Sequence, residues 1–411
     1  MRIFFDCEPE LAKACHDIVR VFYPDAEFLL VPDGADFSIR LQSSGELGDS
    51  IQAELVPLAQ SGPDQVISRL LTPSNLPEEA AHNRARRTAK LAVMQLLADY
   101  SGRQAGPWGI LTGIRPTKIV HRFLDQGYSS EAIVTLLTGC YGMSEAKSRF
   151  LVQVATRQRP FLHSSETAGN YVSIYIGIPF CPTRCVYCSF PAYSIKAHSR
   201  LVEPFVQALL QEIRATGEFL RESGREVESV YIGGGTPTSL SADQLAGLLQ
   251  EVKTSLWQPS TREFTVEAGR PDTINIRVLE LLRQYGVDRL SINPQSMQAE
   301  TLKTIGRAHS PADVVEAVAL ARQTGFTNIN MDLIIGLPGE LLPQVESTLT
   351  KLRAMEPENL TVHTLALKRA SFLKEQKAAF KLADPEEVGR MLDLTYLYAS
   401  QQELQPYYLY R

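Results

Sequence analysis

No apolar run in the 411-residue sequence reaches the length that crosses a bilayer, so a membrane-spanning protein has no support in it. Met1-Arg2-Ile3-Phe4-Phe5 leads into a strand pattern rather than a signal peptide. Positive charge is not in excess: the formal net charge is −5, which argues against nucleic acid as the main partner. Cysteine is sparse, six residues in all, and low-complexity tracts are absent. What is present, 44% hydrophobic and 21% charged residues, is the composition of a soluble globular protein. The expectation is a cytoplasmic monomer with no membrane and no nucleic-acid partner.

A chain of this length suits two domains, each burying its own core. Residues 1–165 read as an α+β accessory domain. Strand patterns fall at 1–6 and 26–31, with a helix at 8–22 between them. Apolar segments at 36–42 and 50–56 flank Ser43-Ser44-Gly45-Glu46, which suggests a hairpin. Beyond the turn-rich Ser61-Gly62-Pro63-Asp64, helical patterns dominate at about 79–100 and 129–156, with a Gly- and Pro-containing segment at 107–118 between them. His121 and His163 read as ordinary polar residues. The polar stretch 163–167 marks the boundary.

From residue 166 to 370 the texture changes. Strand patterns at 171–178, 228–232, 262–267, 287–292, 328–335 and 359–366 alternate with helical ones at 200–222, 241–254, 273–284, 311–323 and 341–354. This predicts an α/β fold with a parallel sheet, closed or half-closed, whose ligands gather at the carboxyl ends of the strands. Residues 371–411 read as the start of a C-terminal extension, ending in the aromatic, strand-like 406–411.

Three of the six cysteines crowd into Cys181-Pro182-Thr183-Arg184-Cys185-Val186-Tyr187-Cys188, directly after the first of these strands. C-x3-C-x2-C spacing offers three corners to a cubane iron–sulfur cluster and leaves the fourth iron open. The same loop suits zinc if a fourth ligand is found, although Cys7, Cys15 and Cys140 are distant and His198 lies ten residues on. The next strand ends in Gly233-Gly234-Gly235-Thr236-Pro237-Thr238. Consecutive glycines allow close backbone approach to a ligand, or serve a tight strand-to-helix turn. Glu267, Gln295 and Asp332 are polar groups at the ends of apolar strands, where burial demands a partner for each. Arg307 offers a cation for a carboxylate, unless it is a solvated surface arginine.

Taken together, Y-x-G-I-P-F-C-x3-C-x2-C, G-G-G-T-P-T, E-A-x-R-P, R-L-S-x3-Q-S and N-x-D-L-I-x-G-L-P occur in order over about residues 170–370. This ordered set resembles the radical S-adenosylmethionine (SAM) superfamily, and within it the oxygen-independent coproporphyrinogen III oxidase family. The L-T-G-I-R-P-T-K segment and the N-terminal part look like its HemZ-type subgroup. The resemblance implies a partial (β/α)6 radical SAM barrel behind an N-terminal α+β domain, with the family's C-terminal domain missing from this chain. It further implies a [4Fe–4S] cluster on Cys181, Cys185 and Cys188. Tyr175, Gly234 and Glu267 would contact one SAM, and Tyr187, Gly235, Thr236, Gln295, Arg307, Asp332 and Ala366 match positions around a second SAM and its nucleoside.

The implied activity is oxidative decarboxylation of coproporphyrinogen III propionates to the vinyls of protoporphyrinogen IX, begun by a 5′-deoxyadenosyl radical. The implied partners are a porphyrinogen or haem-like tetrapyrrole and an electron donor such as flavodoxin or ferredoxin. Arg115, Lys118, Arg184 and Lys196 are candidate cations for its carboxylates. Besides the missing C-terminal domain, a second departure matters. The porphyrinogen enzymes continue with a further cysteine two residues after the third, where this sequence has Phe190, as haem-chaperone relatives do. A haem-binding, non-decarboxylating protein is therefore the rival expectation, and a zinc-binding adaptor a third.

Overall fold

The strand and helix patterns organise into two compact units in the computed structural model, which describes residues 1–44, 50–58, 66–72, 76, 78–113, 115–190, 193–368 and 370–410. One unit comprises Met1–Leu162 with Pro406–Arg411, and the other His163–Gln405. In the first, β1 (Arg2–Asp6), α1 (Pro9–Phe22), β2 (Glu27–Leu29), β3 (Phe37–Ser44), β4 (Ser50–Pro57) and β5 (Ile67–Leu71) precede four helices. These are α2 (Ala81–Ser101), α3 (Thr117–Asp125), α4 (Ser130–Tyr141) and α5 (Glu145–Gln158). The sheet order is β2-β1-β3-β4-β5, parallel at β2-β1-β3 and antiparallel beyond. Alternation drives the packing: Ile51, Ala53 and Leu55 of β4 are buried in one core with Leu96 and Leu97 of α2.

The hairpin expected around Ser43–Glu46 is present as the β3–β4 pairing; residues 45–49, like the 61–64 stretch, lie outside the described residues. Two expectations are corrected. The single helical pattern over 129–156 is two helices, because Gly142 takes a left-handed φ of 65° and Ser144 then caps α5 through Lys147 N. Residues 406–410 form no strand; there the carbonyl of Tyr407 accepts from Gln158 Nε2 at 2.9 Å.

The second unit runs β6 (Tyr171–Ile178), β7 (Phe180–Cys181), β8 (Tyr193–Ser194), α6 (Ser199–Glu222), β9 (Glu226–Gly234), α7 (Ala242–Ser255), β10 (Glu263–Glu267) and α8 (Ile276–Gln284). It continues with β11 (Arg289–Ser291), α9 (Ala299–Thr304), α10 (Pro311–Gln323), β12 (Ile329–Ile335), α11 (Leu342–Arg353), β13 (Asn359–Thr364), α12 (Phe372–Glu375) and α13 (Pro385–Gln401). Six strands pair in the order β6-β9-β10-β11-β12-β13, every pair parallel. The order follows the chain without reversal. Right-handed crossovers then put all connecting helices on one face, as in a barrel and unlike a doubly wound sheet. The ladder stays open, with β6 and β13 at its edges.

The two faces of this sheet differ sharply. Ile174, Ile176, Val230, Ile232, Phe264, Val266, Leu290, Met331 and Leu333 face the helices in one apolar core, joined by Met391 and Tyr398 of α13. The alternating set on the opposite face is mostly polar, Tyr175, Tyr231, Glu267, Ser291, Asn330, Asp332, Thr361 and His363, with Ile334 an apolar exception. A face that bore no ligand and met only side chains would be apolar, as barrel interiors are.

Candidate functional site at the carboxyl rim of the parallel sheet

Strand β6 delivers the chain to Pro179 and straight into the cysteine loop. The loop is clipped at its base by the parallel pairing of β7 with β8: Tyr193 N donates to Pro179 O at 2.8 Å and Ile195 N to Cys181 O at 2.9 Å. Its far side is tied to the turn after α9, where Val186 N donates to Ile305 O at 3.1 Å and Thr183 Oγ1 to Gly306 O at 2.8 Å. Cys181, Cys185 and Cys188 are each half-buried and none is in a disulfide. Burial pushes the thiols of Cys181 and Cys188 up, opposed at Cys181 by the Thr236 hydroxyl, which donates to its Sγ at 3.4 Å. No three His, Cys, Asp or Glu side chains among the described residues converge on one ion-sized point. A cubane does not require that, since each thiolate meets its own iron.

The glycine loop is joined to the cysteine loop. Gly235 N donates to Ile178 O and Thr236 N to Phe180 O, both at 2.7 Å. A Cβ on Gly235 would lie 2.5 Å from Phe180 O, so only glycine permits this approach. At Gly233 a Cβ would meet side chains instead, the Tyr231 ring at 2.6 Å and the Glu267 carboxyl carbon at 2.8 Å, which would have to shift. Glu267 Oε1 accepts from Tyr231 Oη at 2.6 Å and Oε2 from Gly234 N at 3.2 Å. Burial raises its pKa to about 7 despite those donors. Tyr175, 60% exposed, stacks on Tyr231 with ring centroids 5.9 Å apart.

On the next strands, Asn330 Nδ2 donates to Ser291 Oγ and to Asp332 Oδ1, each at 2.7 Å, while Thr361 Oγ1 donates to Asn330 Oδ1 at 2.9 Å. Asp332 thus has the partner its burial demands, and its pKa is still raised by desolvation. Gln295 holds a left-handed φ of 64°, locked by Gln295 N to Asp332 O and Ile334 N to Gln295 O at 2.9 and 3.1 Å. Arg307 is not a surface arginine: it is 7% exposed, with Nη1 donating to Tyr187 Oη at 3.1 Å and Nη2 to the carbonyls of Asn293 at 2.8 Å and Gly269.

Several buried polar atoms here lack a hydrogen-bond partner among the described residues: Gln295 Oε1, Arg307 Nε and both ring nitrogens of His309. Such atoms are costly unless something else meets them, and they cluster where a polar ligand would sit. The residues fit a cluster-bound amino acid: three free thiols on one loop, a glycine backbone with a carboxylate beneath it, and a buried guanidinium.

Ala366, in the loop after β13, is exposed, and so are Arg184, whose Nη2 donates to Ala370 O at 3.0 Å, and Lys196. Arg115 and Lys118 belong to the first unit. Tyr231, Arg270 and His309 were not picked out by the sequence reading. Only Arg270 lay in a quoted motif, the E-A-x-R-P block; the others become visible through contacts far apart in sequence.

Residues 175–352 match the family model described as the radical SAM superfamily. Over 407 residues the chain is 39% identical to the oxygen-independent coproporphyrinogen-III oxidase-like protein HemZ of Bacillus subtilis, covering 98% of this chain and 80% of that protein. It is 36% identical to the B. subtilis haem chaperone HemW over 54% of this chain and 58% of the relative. Among solved structures, the Escherichia coli coproporphyrinogen III oxidase HemN, described as a radical SAM enzyme, superposes with a TM-score of 0.50 at 29% identity, covering 56% of this chain and 52% of that one. The fold is that of a radical SAM domain. The chain belongs to the radical SAM superfamily, in the family that contains HemZ, HemN and HemW. Its cofactors are therefore a [4Fe–4S] cluster and SAM. No helix among the described residues is long and apolar enough to cross a membrane.

Proposed function

We propose that the chain catalyses oxygen-independent oxidative decarboxylation of coproporphyrinogen III propionates, with Cys181, Cys185 and Cys188 as the ligands of its cluster. When bound, the cluster and SAM supply one-electron cleavage of the sulfonium and hydrogen abstraction from the substrate. The chain's own residues bind and orient. Gly234 and Glu267 receive the ammonium group of one SAM, and Tyr175 flanks it. Tyr187, Gly235, Thr236, Gln295, Arg307, Asp332 and Ala366 surround a second molecule, with Arg307 meeting its carboxylate. A flavodoxin or ferredoxin serves as electron donor. The observation that carries this reading is the buried Arg307 guanidinium, which faces hydroxyl and carbonyl oxygens but makes no ion pair among the described residues.

A second reading has its own support. Phe190 stands where a fourth cysteine would, 56% exposed with Lys368 Nζ 5.7 Å from its ring centroid, and relatives of 31–36% identity bear the name haem chaperone. In that case the chain binds a haem-like tetrapyrrole without decarboxylating it. Anaerobic reconstitution with iron, sulfide, reductant, SAM and coproporphyrinogen III separates the two. Vinyl product is expected. 5′-Deoxyadenosine without vinyl product, together with tight haem binding, would replace the first reading by the second.

A further inference from the structure

Arg270 follows β10 in the turn that precedes α8, only 3% exposed, and reaches back to the cysteine loop. Its Nη2 donates to Thr183 Oγ1 at 3.0 Å and Nη1 to Thr183 O at 3.3 Å, while Nε donates to Asp272 Oδ1 at 3.1 Å. With the fork fixed on those sides, Nη1 comes to rest 3.9 Å from Cys185 Sγ. The surroundings do not cancel its charge. Arg307 adds a second buried guanidinium nearby, while of the two arginines Asp272 is ion-paired with Arg270 alone. His309, 3.9 Å from Asp272, stays neutral because burial and the two arginines lower its pKa to about 4.

An iron–sulfur cluster gains one negative charge when it accepts an electron, and net charge and hydrogen bonds at its sulfurs set its potential. A positive charge held against a ligand sulfur in a poorly screened interior stabilises the reduced form. We propose that Arg270 is a positioning residue that raises the reduction potential of the cluster by holding its charge against Cys185. This rests on the reading that Cys181, Cys185 and Cys188 ligate the cluster. The step it governs is the uptake of one electron by the oxidised cluster from an external low-potential donor; no bond is made or broken at Arg270.

A brace for the loop would use the same contacts, so the test must separate charge from bracing. The full chain is reconstituted anaerobically without SAM and titrated with a chemical reductant, following visible absorbance and the paramagnetic signal of the reduced cluster. Arg270→Gln should lower the ratio of reduced to oxidised cluster about tenfold at a fixed potential, equivalent to about 59 mV for one electron. Asp272→Asn, which removes the opposing charge, should move the ratio the other way. Arg270→Lys should stay near the wild-type value.

A potential unchanged in Arg270→Gln, or lowered in both Arg270→Gln and Asp272→Asn, overturns the proposal in favour of a brace. If Arg270→Gln assembles no cluster, the Asp272→Asn shift decides: upward upholds the proposal, zero or downward ends it. A wild-type chain that takes up no [4Fe–4S] chromophore would instead refute the cysteine assignment, and this proposal with it.

Discussion

Two buried arginines, one in each unit, contrast a charge paired within the chain with a charge that has no carboxylate beside it. Arg87 of α2 is 4% exposed and meets a carboxylate: its Nη2 and Nε donate to Glu79 at 2.7 and 3.0 Å. Arg307, equally buried, has a phenol and two carbonyls instead, and its Nε has no partner among the described residues. A charge desolvated without a counter-ion is expensive, and folds tolerate it where something outside the chain completes the pair. The first arrangement is complete within the chain; the second leaves a buried charge that a bound carboxylate would complete.

The largest expected effect concerns the centre that Arg307 borders. Cys185→Ser should abolish both the brown chromophore and 5′-deoxyadenosine formation. A variant that kept a full cluster and cleaved SAM would remove the radical reading. The comparison itself is tested by a matched pair of variants. Arg87→Met strands Glu79 and should cost about 3 kcal/mol in urea unfolding. Arg307→Met strands no carboxylate and should cost about 1 kcal/mol, while weakening SAM binding tenfold or more by calorimetry. Equal stability losses would mean that Arg307 is structural after all.

A pH series sharpens the same contrast. Glu267 has a folded-state pKa of about 7 against an ordinary 4.5, so between those values the folded chain binds more protons than the unfolded one. Its contribution therefore falls as pH rises from 4.5 through 7, by on the order of 3 kcal/mol in the unliganded chain. Glu267→Gln should flatten that part of the curve; an unaltered slope would assign it to other groups. Gly235→Ala sets a new methyl 2.5 Å from Phe180 O. We expect a loss of about 1–3 kcal/mol and a lower cluster yield.

Much of the second unit was legible because its strands repeat one pattern. The segment 171–178 coincides with β6, and the other five strands are displaced by at most two residues at either end. Less was legible in the first unit. Strand β5 is a five-residue edge element whose pattern Ile67-Ser68-Arg69-Leu70-Leu71 does not alternate. Helix α3 starts directly after Pro116, in a stretch whose Gly113 and Pro116 look like a loop, although proline also marks helix starts. At the site, strand ends revealed Glu267, Gln295 and Asp332. Arg270 could not be assigned a role that way: its contact with Cys185 spans 85 residues of chain and exists only once β10 lies beside β9.

The two short amide-to-carbonyl bonds from Gly235 and Thr236 carry a final implication. They weld the segment bearing the sulfurs to the segment that would cradle an amino acid, so neither can be ordered without the other. Loading metal should therefore prepay the entropy of capturing the small molecule. Affinity for SAM in the metal-free chain would then be low for a conformational reason, over and above the loss of the iron itself.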